Sequence, residues 1–216
     1  MTEKKTILFD LDGTLTDPKV GITRSVQYAL RKFGINIEDT DTLCCFIGPP
    51  LKESFMKYYG LSDTDGDLAV EYYREYYRPT GIFENVVYDG IPQLLADLKS
   101  AGKQIALATS KPTVFAKQIL EHFDIASYFD VIIGSELDGR RVIKADVVAD
   151  VLAECGCSNA DAVMVGDRYH DIVGGKAHAL STVGVLFGYG SRTELEEHGA
   201  DVICVSVDDL HNILLG

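Results

Sequence analysis

No apolar run in this chain of 216 residues approaches the roughly 18 that a membrane-spanning helix needs. The opening MTEKKTILFD enters a strand-like run at once, without the apolar core of a signal peptide. Membrane-embedded and secreted classes are set aside on these grounds, and a cytoplasmic location is expected. Cations are also scarce: 20 Lys and Arg against 33 Asp and Glu leave a net charge of −13, with no basic stripe. That argues against nucleic acid as a partner, because counterion release needs clustered cations. It leaves room for a small anionic substrate, since one lysine and a divalent cation reverse the field inside a single cleft. The cysteines Cys44, Cys45, Cys155, Cys157 and Cys204 form no Cys-x-x-Cys pair, and no His stands at zinc-ligand spacing. An odd count without a secretion signal fits reduced, mostly buried thiols. Fixed-period repeats and low-complexity segments are absent too.

What is present is a sizeable apolar fraction, 46%, enough for one large domain or for a core with a smaller module. The chain is organised around TILFDLDGTLT at its start. Ile7-Leu8-Phe9 reads as a short strand buried on both faces, and Gly13 allows the chain to turn sharply behind Asp10-Leu11-Asp12. Two carboxylates one residue apart are thus presented at the carboxyl end of a strand, where open α/β sheets bind ligands. Taken alone, Asp-x-Asp-Gly is also what an ordinary turn selects. A calcium loop does not fit, because the glycine falls at the wrong position.

After Thr16 the pattern becomes helical. Asp17-Pro18 can start a helix on which Ile22, Val26, Leu30 and Phe33 recur at helical spacing. A polar turn (36–42), a loop around Phe46-Ile47-Gly48, a short helix (51–59), a turn (63–67) and a tyrosine-rich helix (68–77) follow. Residues 17–83 are therefore expected to form a small all-helical domain inserted after the first strand, and residues 1–16 with 84–216 the core. The tyrosine run is read as helix packing and as a hint of an interface, leaving monomer and homodimer both open. From Val86 onward strands alternate with helices, which implies a parallel sheet with helices on both faces. The expected fold is α/β, with a doubly wound, Rossmann-like core and an all-helical insert.

Three apolar runs end in residues suited to phosphoryl chemistry: Ile7-Leu8-Phe9 in Asp10, Ile105 to Ala108 in Thr109, and Ala162 to Gly166 in Asp167. In parallel strands these side chains gather along one sheet edge, within reach of Lys144 at the start of a later helix. An anionic phosphate ester meeting Asp10 needs positive charge. Mg²⁺ held by Asp10, Asp167 and an oxygen near Asp12 would supply most of it, and Lys144 a fixed remainder. Thr109, Ser110 and the backbone N–H groups around Leu11 and Asp12 can hold the equatorial oxygens. Asp171 lies one helical turn after Asp167, placed to hold a metal-bound water or to orient Lys144; that metal role is favoured over the plain reading of an acid in the first turn of a helix. Arg168 and His170 read as surface residues.

Asp10-Leu-Asp-Gly-Thr14, Thr109-Ser110, Lys144 and Gly166-Asp167-Arg-Tyr-His-Asp171 resemble, in order, the four motifs of the haloacid dehalogenase superfamily. The resemblance spans residues 6 to about 190 and is greatest to phosphoglycolate phosphatase-like members, whose helical cap the insert resembles. It implies that Asp10 is a nucleophile forming an aspartyl-phosphate, and that Asp12 protonates the leaving oxygen and then activates water. The superfamily's dehalogenases lack an acid at the position of Asp12, so its presence points to phosphoryl transfer. The resemblance implies a Mg²⁺-dependent phosphatase of small phosphorylated metabolites, with a lid that closes over the site. Phosphoglycolate is the leading substrate; a nucleoside monophosphate or pyrophosphate is next. A sugar phosphomutase shares the chemistry, and a non-catalytic binding protein on the same fold is the remote alternative. Lys52 aligns roughly with a basic cap residue that contacts substrate in related enzymes, and Arg24 is a second candidate. A solvated helix face is equally open to both.

Overall fold

The computed structural model describes all residues, 1–216. The chain divides into two compact units, residues 1–17 with 87–216, and residues 18–86. These divisions differ by one residue and by three from the boundaries expected at 17 and 83. No helix is long and apolar enough to cross a membrane.

In the larger unit, β1 (Thr6–Phe9) is followed by the two-residue strand β2 (Thr16–Asp17), from which the chain leaves for the second unit. That unit contains α1 (Lys19–Lys32), a 3₁₀ segment (Thr40–Phe46), α2 (Leu51–Tyr59) and α3 (Asp63–Tyr77). On α1 the spacing of Ile22, Val26, Ala29 and Leu30 buries one face. Two expectations are corrected here. Residues 63–67 are the first turn of α3 rather than a separate turn: Ser62 Oγ caps the helix by accepting from Asp65 N–H, and Asp63 and Asp65 stand where the helix dipole favours acids. The turn expected at 36–42 and the loop around Phe46 overlap a 3₁₀ segment, started by Asp39, whose carboxylate accepts from Asp41 N–H.

The chain then runs through β3 (Val86–Val87), α4 (Ile91–Ser100), β4 (Gln104–Pro112), α5 (Thr113–His122), β5 (Val131–Ser135) and α6 (Lys144–Cys155). It closes with β6 (Ala162–Gly166), α7 (Tyr169–Ala177), β7 (Ser181–Val185), α8 (Arg192–Glu197), β8 (Val202–Cys204) and α9 (Val207–Leu215). Six strands form one parallel sheet in the order β5-β4-β1-β6-β7-β8. Leu8, Ala106 and Met164 project into a cluster with Val147, Val148 and Val151 of α6. The alternating residues Ile7, Phe9, Ile105, Leu107, Val163 and Val165 are buried as well, so both sheet faces are covered. This is the expected doubly wound α/β core.

The register positions the chemistry. Phe9 lies opposite Leu107 on one side and Val165 on the other, so Asp10 leaves β1 within two residues of the level of Thr109 and Asp167, while β4 itself runs on to Pro112. β1 sits between β4 and β6, and the chain crosses to opposite sides of it, which opens a crevice at the carboxyl edge.

Candidate active site

At that edge five charged side chains are almost wholly enclosed: Asp10, Asp12, Lys144, Asp167 and Asp171. Asp10 follows β1 directly, its N–H donating to Val165 O at 2.9 Å. Lys144 is the first residue of α6 and comes in from the side. Its Nζ donates to Asp10 Oδ1 at 2.7 Å and to Ala108 O at 2.9 Å, and it lies 2.8 Å from Asp171 Oδ1. Asp171 Oδ2 also accepts from Arg168 N–H at 3.1 Å, closing the first turn of α7. Close packing makes this possible. A Cβ on Gly174 would stand 2.6 Å from Lys144 Cγ, and one on Gly166 2.2 Å from Asp171 Cγ.

Carboxylate oxygens of Asp10, Asp167 and Asp171 all lie within 4.8 Å of one another. The Asp12 carboxylate is outside that group and pairs instead with Lys111, 2.7 Å from Oδ2. Thr109 Oγ1 accepts from Lys111 N–H at 3.2 Å, and Ser135 Oγ donates to Ser110 O at 2.7 Å, shaping the irregular end of β4 that carries all three. Leu11 is buried, and its carbonyl accepts from the N–H groups of Leu15 and Thr16.

Burial raises the carboxyl pKa of Asp167 well above its usual range, and the neighbouring Asp171 and Asp10 add to it. Asp171 rises to about 6, burial outweighing the opposing pull of Lys144. Asp12 is raised too, by burial, against the attraction of Lys111. For Lys144, burial disfavours the charge, but the carboxylates of Asp10 and Asp171 overcome it and hold the ammonium above its ordinary value. Four carboxylates against the two ammoniums of Lys111 and Lys144 leave a formal charge of −2 among closely packed, buried side chains. Asp167 Oδ1 and Asp12 Oδ1 are buried without a hydrogen-bond partner, which is costly unless something else satisfies them. An all-oxygen, doubly negative donor set with orphaned carboxylate oxygens fits a hard divalent cation.

The family model described as "Haloacid dehalogenase-like hydrolase" matches residues 7–185. The chain belongs to this family. Within the haloacid dehalogenase-like hydrolases it is 46% identical to a Pseudomonas aeruginosa protein named 5'-nucleotidase, over 96% of this chain and 94% of that one. It is 40% identical to the Mycobacterium tuberculosis tyrosine-protein kinase PtkA, over 96% of this chain and 72% of that one. A crystal structure of a predicted phosphatase from Clostridium acetobutylicum superposes with a TM-score of 0.95 at 50% identity, covering 97% of each chain. The chain is a phosphatase of the haloacid dehalogenase-like family.

Two candidates belong to the helical unit. Lys52, in the helical unit, is held by Asp63 and Asp67, each at 2.9 Å, and Arg24 pairs with Glu84 in the same unit. Lys111 was passed over by sequence reasoning, and the surface reading of His170 and Arg168 is corrected. Lys111 stands two positions after Thr109, where an extended strand returns to the same face; that spacing was its available signal. His170 is not a plain surface residue. Its Nε2 is buried without a partner, and burial, with Arg168 and Lys144 nearby, lowers its pKa to about 4. Arg168 is likewise drawn in, donating from Nε to Glu194 at 2.9 Å.

Proposed function

We propose that this phosphatase is a Mg²⁺-dependent phosphoric monoester hydrolase of small phosphorylated metabolites, working through an aspartyl-phosphate on Asp10. The observation that carries the proposal is the fixed Asp10 carboxylate, held by Lys144 at 2.7 Å beside the orphaned oxygen of Asp167. Asp10, Asp167 and Asp171, with an oxygen near Asp12, would hold the cation, which when bound neutralises phosphoryl charge.

The protein's own groups carry the steps. Lys144 orients one Asp10 oxygen and leaves the other as nucleophile. As Asp10 bonds to phosphorus, the ester P–O bond breaks and the leaving oxygen takes a proton from the Asp12 carboxyl. Burial favours the protonated form of Asp12 that this step needs. In the second half, Asp12 removes a proton from water as the water attacks phosphorus, releasing inorganic phosphate and restoring Asp10. Thr109, Ser110, the Leu11 backbone and Lys111 surround the phosphoryl group.

The identity to a protein named 5'-nucleotidase favours a nucleoside 5'-monophosphate over phosphoglycolate as substrate. We assign substrate choice to the helical unit acting as a cap, with Lys52 and Arg24 as its cationic candidates; a substrate anion must compete with their present acid partners. The enzyme is taken to work in the cytoplasm as a monomer or homodimer.

A Mg²⁺-supported phosphate-release screen tests this. It spans nucleoside monophosphates, phosphoglycolate, pyrophosphate and sugar phosphates, with phosphosugar isomerisation and ATP-dependent tyrosine phosphorylation as separate readouts. Release from monoesters is expected. Isomerisation or phosphotransfer without release would overturn hydrolysis, and activity untouched by a chelator would overturn the metal requirement.

A further inference from the structure

Asp167 is the most enclosed acid of the cluster, with no exposed surface, and the 187–190 segment after β7 encloses it. Tyr189 N–H donates to Asp167 Oδ2 at 2.7 Å, while Oδ1 has no partner. There is no slack between segment and acid. A Cβ on Gly190 would stand 1.8 Å from Asp167 O, and one on Gly188 2.5 Å from Asp167 Cβ and 2.2 Å from Gly13 O. Any shift of this loop therefore displaces the acid.

The loop is fastened at both ends to the segments where the chain leaves and re-enters the core. The Tyr189 hydroxyl donates to Asp17 Oδ1, in the last residue of β2. Two residues earlier, the Phe187 ring meets Tyr88 edge-on at 5.2 Å, and Tyr88 N–H donates to Leu15 O at 3.1 Å. Asp17 is tied in turn to the nucleophile turn, since Gly13 N–H donates to Thr16 O at 2.8 Å.

We propose that Tyr189 is a positioning residue for the cation site. Its hydroxyl, anchored on Asp17, fixes the loop; its backbone N–H then fixes the Asp167 carboxylate so that Oδ1 faces the cation. Ligand geometry at Asp167 thereby depends on the strand that leads out of the core. Partners of metal ligands set ligand orientation, and their loss costs metal affinity about tenfold to a hundredfold. The inference rests on the metal-dependent reading above.

Tyr189→Phe tests it, because it removes one oxygen and keeps both the ring and the backbone N–H. The Mg²⁺ midpoint, read without substrate from the rise in melting temperature, is expected to shift upward about tenfold. Amide exchange at Tyr189 should quicken in parallel, and turnover lost at low Mg²⁺ should recover as Mg²⁺ is raised. Asp17→Asn keeps an acceptor and should preserve the wild-type midpoint. Asp17→Ala should reproduce the shift, and the Asp17→Ala/Tyr189→Phe double variant should be no worse than either single change. An unchanged midpoint in Tyr189→Phe, with the wild-type protein responding normally, would overturn the proposal alone. A turnover loss that persists at saturating Mg²⁺ without a midpoint shift would overturn it too, marking a merely structural tyrosine. Wild-type protein showing no Mg²⁺-dependent stabilisation would overturn the metal-dependent reading and this inference with it.

Discussion

The buried carboxylates serve chemistry at the expense of the metal-free fold. Lys144 is paired with Asp171 as well as with Asp10, and an asparagine at position 10 keeps an oxygen to accept from it. Asp10→Asn should therefore leave circular dichroism and melting temperature near wild type while turnover falls by several orders of magnitude. Near-normal turnover in that variant would remove Asp10 from the nucleophile role. Asp167 is the opposite case, a fully buried acid whose ionised form is disfavoured by burial and by two neighbouring carboxylates. Asp167→Asn keeps an oxygen for Tyr189 N–H and removes the charge. It should raise the melting temperature of chelator-treated protein at pH 7 and abolish the further rise on adding Mg²⁺. A fall in the chelator-treated melting temperature would contradict the charge argument.

At the level of elements, close approach decides the geometry. α7 can lie against Lys144 only because position 174 has no side chain. Gly174→Ala should cost about 1–3 kcal/mol through overpacking, visible in urea denaturation, and lower turnover by disturbing the lysine that orients Asp10. A second junction joins the end of α7 and the start of β7 to residue 201. Asp201 accepts from Thr182 N–H at 2.8 Å and pairs with Lys176. Burial would raise its carboxyl pKa, but Lys176 and Thr182 outweigh burial and hold it below the usual value. With a depressed folded pKa, the stabilisation is present above the unfolded value of about 4 and is lost as pH falls through the folded one. Asp201→Asn should cost about 1 kcal/mol or less at pH 7, given its partial exposure. The difference from wild type should vanish in denaturation curves taken well below pH 4. Element type was readable for the six strands of the main sheet and for most helices, but not for the two-residue strands β2 and β3. Residues 63–67 were not, because Asp and Gly favour turns and helix starts alike, and the deciding cap is one hydroxyl on Ser62.

For the molecule as a whole, the site's excess negative charge would link stability to the proposed cation. A ligand bound only by the folded state stabilises by about 2.7 kcal/mol at a hundred times its dissociation constant. Mg²⁺ should accordingly raise the melting temperature and a chelator lower it, with an effect that weakens in acid as protons compete for the same carboxylates. A melting temperature indifferent to Mg²⁺ at neutral pH would contradict a divalent site here.

The order of apolar runs and the polar residue ending each were enough to imply a parallel sheet with Asp10, Thr109 and Asp167 at one edge. That inference worked because buried strands are recognisable as uninterrupted apolar stretches and parallel strands end on the same side. Pairings between residues far apart in the chain depend on which backbones approach within a few ångströms, and such contacts leave no periodic trace. Tertiary structure alone therefore brought Lys111 to Asp12, engaged Lys52 with Asp63 and Asp67, and wrapped the Tyr189 loop around Asp167.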